Sequence, residues 1–489
     1  MIVTLVPLIK LRVKCVTTIL RKRQVSRQVG VHSCGLDLAA GQAERSAKEK
    51  RRIIMNLRIS LFFILAALTT FWSQGPAAAF HSGGVAECES CHTMHNSMSG
   101  MSMSDPASDI GTARGNPLLS GSDSSSVCLK CHAAQDTLPG GGNANSPHIM
   151  SLNQPIPVER TPGGDFAWLK KSWSWFPIPT DPASRKHSPG ERHGHNIVAA
   201  DFGYFADTST AGNVAPGGIY PTDQLHCISC HDPHGKYRQL PGGIFDTSGG
   251  PITISGSYGA EPSVIGNTVY AVGAYRLLGG VNYKPSSLTG IPAFIEPPMF
   301  ATVETTYNRS EDTNDVVVAY GRGSSEWCRN CHNTIHDIVS NGSFSHSVSI
   351  PLGDTMANIY NSYVKTGDLT GVGGGFTSLV PVQRGNIASN SSLYNLLSTS
   401  TVQFNDQVTC LTCHRAHASG WDKMLRFPYG TDYFTVMDVI GNPAYPDPIA
   451  NPAEAMGRTP AEFQAALYDR PASKFGVFQK ALCEKCHSQ

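Results

Sequence analysis

Hydrophobic residues along this chain seldom hold a regular rhythm for long. Gly, Pro, Ser, Thr and Asn interrupt nearly every stretch, and runs with a 3.6-residue or two-residue period are scarce. Two segments read as helices, 356–365 and 460–468, the second opened by Pro460 with Glu462 in its first turn. Short alternating runs at 251–255, 263–270 and 315–320 read as strands between turn residues. The remainder reads as loop: a mostly irregular, coil-rich fold with a few short helices and minor β structure.

One apolar run stands apart. Residues 59–72 are largely hydrophobic, follow a short basic segment at 55–58, and precede Ala77, Ala78 and Ala79. Charged start, apolar middle and small-residue end describe a secretory signal peptide with cleavage between Ala79 and Phe80. The run falls short of the ~20 residues a membrane span needs. Residues 1–54 lie ahead of this complete signal. The basic run at 48–52 fits purine-rich codons before a start at Met55, so 1–54 is expected to be an over-extended gene start. The organisation expected is therefore extension 1–54, signal 55–79 and one functional unit 80–489.

That division changes the charge. Residues 80–489 hold 25 Lys and Arg against 34 Asp and Glu, a formal charge of −9, although the full chain is near neutral. An acidic exported protein is a poor candidate for nucleic acid. Of 14 cysteines, Cys15 and Cys34 fall in 1–54. The other twelve form six C-x-x-C-H motifs: Cys88, Cys91, His92; Cys128, Cys131, His132; Cys227, Cys230, His231; Cys328, Cys331, His332; Cys410, Cys413, His414; and Cys483, Cys486, His487. No cysteine remains for a disulfide.

C-x-x-C-H is the attachment pattern of c-type haem: two thiols add to the vinyl groups and the adjacent imidazole ligates iron. Zinc ribbons pair their C-x-x-C units roughly 12–20 residues apart. Here the first cysteines, Cys88, Cys128, Cys227, Cys328, Cys410 and Cys483, are spaced far more widely, and histidine follows all six times. Six covalently attached haem c groups, each with its iron, are expected. They supply the apolar surfaces and cross-links that a loop-rich chain lacks, so the fold is organised around a chain of haems.

What fills the second axial position separates an electron carrier from an enzyme. Beyond the six proximal ligands, residues 80–489 contain eleven histidines. Motifs 1, 3 and 5 continue as C-x-x-C-H-x-x-H, giving His95, His234 and His417. A histidine three residues after the proximal ligand lies beside it and cannot cross to the opposite face of the same haem; it reaches an adjacent one. A regular scheme gives His417 to the third haem and His234 to the first. His95 then has no earlier haem in its own chain: it serves the fifth haem of a neighbouring molecule, finds an intrachain site, or is solvent-exposed. The first alternative is a head-to-tail contact that builds a filament unless its rotation closes. For the even-numbered haems the first choices are His148, His195 and His346, each with a small or turn-forming residue before it and an aliphatic soon after. His81, His226 and His336 are held in reserve. His187 and His193, in the charged run 184–195, are expected to be solvated. A methionine ligand from the Met-rich stretch after His95 is disfavoured against a surface loop.

Several runs go beyond haem attachment: FHSGGVAEC (80–88), CHTMHNS (91–97), TPGGDF (161–166), LHCISCHDPHGKYR (225–238), SEWC (325–328) and CHRAHASG (413–420). With these the chain resembles the hexahaem outer-surface c-type cytochromes of metal-reducing bacteria, from Phe80 to the last motif. The resemblance implies a secreted protein that polymerises with itself into an extracellular filament of bis-histidine haems, with His95 ligating the fifth haem of an adjacent subunit. Implied partners are periplasmic or outer-membrane cytochromes as donors and extracellular metal oxides or other redox acceptors. Departures concentrate after His95, at 152–160 and at 366–408, the expected surface loops. The rival readings are a soluble periplasmic shuttle and a nitrite- or hydroxylamine-type multihaem oxidoreductase. The latter needs an open haem, whereas all six motifs keep histidine and imidazoles are in surplus.

Overall fold

Two cysteines three residues apart fall on one side of a helical turn, and each of the six motifs is such a turn. The turns are Cys88–Cys91, Ser124–His132, Cys227–Ser229, Trp327–Asn330, Cys410–Cys413 and Leu482–Lys485. A single bond from the proximal histidine back to the first cysteine closes it. His231, His332, His414 and His487 N–H donate to the carbonyls of Cys227, Cys328, Cys410 and Cys483 at 3.0, 3.0, 2.9 and 3.1 Å. The computed structural model describes residues 88–93, 97–98, 101–102, 119–133, 148–207, 213–233, 238–240, 244–246, 278–299, 301–303, 318–335, 346–363, 379–387 and 401–487. All lie within the unit Ala77–Gln489.

Regular structure is sparse, as the pattern of the sequence predicts. The longer helices are α1 (Ser124–His132), α2 (Gly353–Ser362) and α3 (Pro460–Ala466). Among the described residues, five antiparallel two-stranded ribbons account for the strands: Ser97–Met98 with Met101–Ser102, Trp173–Trp175 with Lys186–Ser188, Arg238–Leu240 with Ile244–Asp246, Ala301–Val303 with Val318–Tyr320, and Val436–Met437 with Pro443–Ala444. The helix expected at 356–365 begins at Gly353 and stops at Ser362, where Tyr363 turns extended. That expected at 460–468 stops at Ala466 because Tyr468 and Asp469 both take φ +58°. Its start is fixed by Thr459 and Glu462, each accepting the other's backbone N–H. The strand expected at 315–320 is present from Val318; the runs 251–255 and 263–270 lie outside the described residues.

A repeat emerges that no sequence period announces. After each odd-numbered motif the chain turns extended and meets a remote leucine in an antiparallel bridge: His92 with Leu119, His231 with Leu278, His414 with Leu425. The residue after each leucine donates its N–H to the second cysteine's carbonyl: Ser120 to Cys91 at 2.8 Å, Gly279 to Cys230 at 2.9 Å, Arg426 to Cys413 at 2.8 Å. The three odd motifs are thus built alike despite loops of very different length between the partners.

Aromatic rings form much of the main apolar core. Trp421 meets Phe463 edge-on at 4.8 Å, Tyr445 stacks on Phe463 at 5.6 Å, and Phe434 meets Phe475 at 5.0 Å. Arginine is buried here too, with Arg384, Arg415, Arg426, Arg458 and Arg470 all at 3% exposure or less. Such burial requires partners. Arg458 sits over Trp173 at 4.0 Å and Trp421 at 4.8 Å while its Nε donates to the Gly420 carbonyl at 2.9 Å.

Two expectations are overturned. The run 366–408, expected as surface loop, places Leu379, Val380, Val382 and Val402 in the main core, where the chain packs beside α2. His187 is exposed, but His193 is fully buried. The 190–192 turn puts Glu191 and Arg192 outward and rotates His193 beneath Trp173. Its Nδ1–H donates to the Trp168 carbonyl at 3.1 Å, and Nε2 lies 2.8 Å from Ser188 Oγ and 3.2 Å from Asp422 Oδ1. Burial pushes the Asp422 carboxyl up, but hydrogen bonds from His193 and Ser188 and the nearby Arg458 charge bring it below its ordinary value. A depressed carboxylate contributes stability above its unfolded pKa of about 3.9 and loses it as pH falls through the folded value. Asp422→Asn should therefore melt below wild type at neutral pH, and the difference should shrink below about pH 4; calorimetry across pH checks this.

Candidate haem-iron centres

An imidazole ligates iron through one nitrogen only if the other is held, because the second ring nitrogen fixes tautomer and orientation. Backbone carbonyls do this repeatedly here. Nδ1–H of His195 donates to Ala416 at 2.6 Å, of His332 to Pro216 at 2.8 Å, of His346 to Ser347 at 2.8 Å, and of His414 to Lys423 at 2.7 Å. A carbonyl only accepts, so the proton resides on Nδ1 and the Nε2 lone pair is available. Burial, reinforced by the His332 ring opposite, drives His195 down to about 4, and burial lowers His414 as well. Both rings are neutral at physiological pH, as iron ligands must be.

The spacing between rings is the test of fit for haem. Two imidazoles trans on one metal, each bonded at about 2.0–2.1 Å with its ring centre roughly 1.1 Å beyond, have centres about 6.3 Å apart. The rings of His231 and His417 are 6.3 Å apart, those of His332 and His195 6.1 Å, and those of His487 and His346 6.0 Å. Their interplanar angles of 62°, 35° and 69° are compatible with a shared axis, about which each ring turns freely. The geometry of these three pairs fits an iron between them. His148 stands beside the second motif, for its neighbour Ile149 donates to the His132 carbonyl at 2.8 Å. Its Nδ1 faces Glu159 at 3.8 Å, a carboxyl that burial and Asp165 raise to about 7 against the lowering effect of Arg160.

His417 reaches its partner by a different route from the helical one that the motif spacing suggests. Instead of lying one turn along a helix, it follows a chain that is extended from His414 (φ −112°, ψ 153°), and this carries its ring to His231. A clamp of three backbone segments then holds it. His417 N–H donates to Gly163 at 2.7 Å, His195 N–H to His417 at 2.9 Å, and Ser419 N–H to His193 at 2.9 Å. Phe166 stacks on the His417 ring at 4.7 Å and 22°. A Cβ at Gly163 would lie 2.7 Å from His417 Nδ1, and one at Gly164, whose φ is +101°, 1.8 Å from the Ala418 carbonyl. The TPGGDF run is thus a seat for His417. In the sequence that run stands out only as a likeness, because backbone contact between segments so remote along the chain leaves no local signal. Pro216, Lys423 and Arg426 were missed for the same reason. Arg426 Nε donates to the Leu411 carbonyl at 2.6 Å and the His414 carbonyl at 3.2 Å, bracing the fifth motif.

Of the reserve histidines, His226 is buried against Asp123 Oδ1 at 3.8 Å and Ser125 Oγ at 3.4 Å. His81, His95, His234, His336 and the Cys88 side chain lie outside the described residues. The motifs themselves adjoin in sequence order. Cys91 lies near Cys128, Cys128 beside Cys227, Cys230 near Cys328 and Cys331, Cys328 beside Cys410, and Cys413 near Cys483 and Cys486.

No family model matches the chain. Over 444 residues, 88% of this chain and 99% of the relative, it is 44% identical to the C-type cytochrome OmcS of Geobacter sulfurreducens. The chain belongs to the OmcS family of c-type cytochromes. Two solved structures agree: the OmcS nanowires of Geobacter sulfurreducens seen by cryo-EM, and the Outer Membrane Cytochrome S filament of the same organism. Each matches with a TM-score of 0.65 at 44% identity, covering 83% of this chain and 99% of that one. As an OmcS-type cytochrome the chain carries six covalently attached haem c groups and is an electron carrier, not a substrate-converting enzyme. Its coil-rich architecture is the OmcS fold.

The clamp makes a specific prediction. Gly163→Ala should displace His417 from His231 and convert one haem of the six from low-spin to high-spin, with all six still attached. Electron paramagnetic resonance alongside a haem assay reads both; an unchanged low-spin spectrum would remove the seat from this role.

Proposed function

We propose that this protein is the subunit of an extracellular filament that carries electrons away from the cell along bis-histidine haems. The observation that carries the reading is the adjacency of the six motifs in sequence order, which lays a continuous relay from one end of the chain to the other. The haems supply one-electron cycling between ferric and ferrous iron. The chain's own groups attach them, close both axial positions and hold each imidazole through its second nitrogen.

The ligand assignment is His92 with His234, His132 with His148, His231 with His417, His332 with His195, and His487 with His346. His414 takes His95 of a neighbouring subunit. Ring spacings of 6.0–6.3 Å support three of these pairs. For the fifth site, no histidine ring among the described residues is in contact with that of His414. A ligand supplied from the next copy makes the contact head-to-tail, the arrangement that generates open filaments. The relatives are described as nanowires and a filament, which favours the same assembly here. Closed axial positions leave no place for nitrite or hydroxylamine.

Export follows the signal at 55–79, with the mature chain starting at Phe80. Its formal charge of −9, made more negative by haem propionates, suits contact with metal ions or mineral surfaces as acceptors, and outer-membrane or periplasmic cytochromes act as donors. The deciding experiment is electron microscopy of sheared extracellular material. Wild type should give long filaments, and His95→Ala none or short fragments while keeping six haems per chain. Filaments unchanged in the variant would end the intermolecular ligation; none in either strain would favour a periplasmic shuttle.

A further inference from the structure

Thioether sulfurs sit on the edge of a c-type haem, so the positions of the cysteine sulfurs mark where haem edges stand. The sulfurs of Cys128 and Cys227 lie beside one another in this structure, and so do those of Cys328 and Cys410. In both places the first cysteine of an even-numbered motif meets the first cysteine of the next odd-numbered one. A second contact accompanies each. Cys227 N–H donates to Ser125 Oγ at 3.0 Å, and Cys410 N–H donates to Ser325 Oγ at 3.1 Å.

Ser125 and Ser325 stand three residues before Cys128 and Cys328, the first cysteines of motifs 2 and 4, and are 0% and 1% exposed. The N–H they receive is one that the start of a helical turn leaves without an intrahelical partner. A capping side chain usually comes from the residues just ahead of the turn. Motifs 3 and 5 do carry a local hydroxyl, but it points elsewhere: Ser229 Oγ accepts from His226 N–H at 2.9 Å and Thr412 Oγ1 from Thr409 N–H at 3.0 Å. The cap for the cysteine N–H is imported from the preceding motif.

We infer that Ser125 and Ser325 are positioning residues for electron transfer, each latching an even-numbered haem motif to the following odd-numbered one and so setting the spacing of two haem edges. The motifs joined are remote along the chain, Cys128 from Cys227 and Cys328 from Cys410. Through the latch, the path from one sulfur to the other is a single helical turn and one hydrogen bond, with no loop in between. The step from motif 3 to motif 4 is built differently: Gly279 donates to the Cys230 carbonyl and accepts from Trp327 Nε1 at 2.9 Å. Ahead of motif 6 the equivalent position is Lys480, whose ammonium has no lone pair with which to accept an amide N–H. The latch therefore belongs to contacts inside the chain and not to the junction between copies.

The inference rests on a haem at each motif, so haem content is measured in every variant. The variants are Ser125→Ala and Ser325→Ala, with Ser126→Ala and Ser324→Ala as controls. The control hydroxyls are equally buried but bond to Asp123 and to the Gly321 carbonyl. Soret-region circular dichroism reads exciton coupling between neighbouring haems, which depends on their separation and orientation and not on melting temperature. Each latch variant should lose part of the bisignate Soret signal and the double variant more, with six haems per chain, while the controls keep it whatever happens to their stability. An undiminished signal in both latch variants, an equal loss in the controls, or fewer than six haems in the latch variants would overturn the latch.

Discussion

The constraint on which the rest of this fold turns is that imidazoles remote along the chain face each other at the spacing that an iron between them would require, as three pairs do. A chain whose described part has only three α-helices of more than one turn, and no strand beyond a few residues, buries little through regular packing. Six haems provide the planar apolar surface, and twelve thioethers with the axial bonds provide the cross-links, that a loop-rich chain needs to hold one shape. The polypeptide's remaining work is orientation. It is done largely by backbone carbonyls that take Nδ1–H of His195, His332, His346 and His414 at 2.6–2.8 Å. Carbonyls suit the task because they bind one tautomer only and are placed by the backbone instead of a rotatable side chain.

The stretch 414–418 shows how tightly such sites are interleaved. His414 is the proximal residue of the fifth motif, the Ala416 carbonyl holds His195 opposite His332, and the His417 ring faces His231. One short segment thus bears on three motif histidines, His414 itself, His332 and His231. The extended backbone after His414 makes this possible, since alternate residues of an extended chain point to opposite sides. Gly163 and Gly194 let neighbouring segments close on this strand: a Cβ at Gly194 would lie 2.3 Å from the His417 carbonyl. Lys423 and Met424, both at positive φ, bring the Lys423 carbonyl to His414. Left-handed geometry at two successive non-glycine residues costs energy, and its position beside an iron ligand is where such strain is commonly retained.

What could be read from the sequence follows from the range of each interaction. Haem attachment is local chemistry within one turn, so all twelve cysteines and the six histidines beside them were legible. Of the second histidines, His195, His346 and His417 were legible in that each faces a motif histidine, the first two marked by small or turn-forming neighbours and the third by its place three residues after His414. Their supports were not: Pro216 binds His332 across 116 residues, and the leucines bridged by His92, His231 and His414 lie at unrelated separations. His193 misled because its neighbours Glu191 and Arg192 are charged, whereas one short turn sends them outward and the imidazole in. Buried arginine was equally invisible, since composition counts Arg458 as charge while the structure uses it as a donor wedged between Trp173 and Trp421.

The repeat of the odd motifs bears on why such a chain would polymerise. Motifs 1, 3 and 5 share the leucine bridge, the N–H to the second cysteine, and a second histidine three residues on. If each of those histidines reaches back to the preceding odd haem, as the facing rings of His417 and His231 favour, a linear series always ends with one ligand unused at its start and one site open at its finish. His95 is the first and the haem of His414 the second. Two such ends on one molecule are complementary to each other but not to themselves. A two-fold dimer would have to bring both ends of each copy against the same partner, whereas head-to-tail repetition matches one end of each kind at every junction. Two of the interior steps, from motif 2 to 3 and from motif 4 to 5, carry a serine hydrogen bond, and the junction has Lys480 in that place, so copies would be joined by metal ligation and not by such a latch. Assembly is then limited to chains that already hold their haems, because the site that receives His95 exists only when the fifth haem is in place.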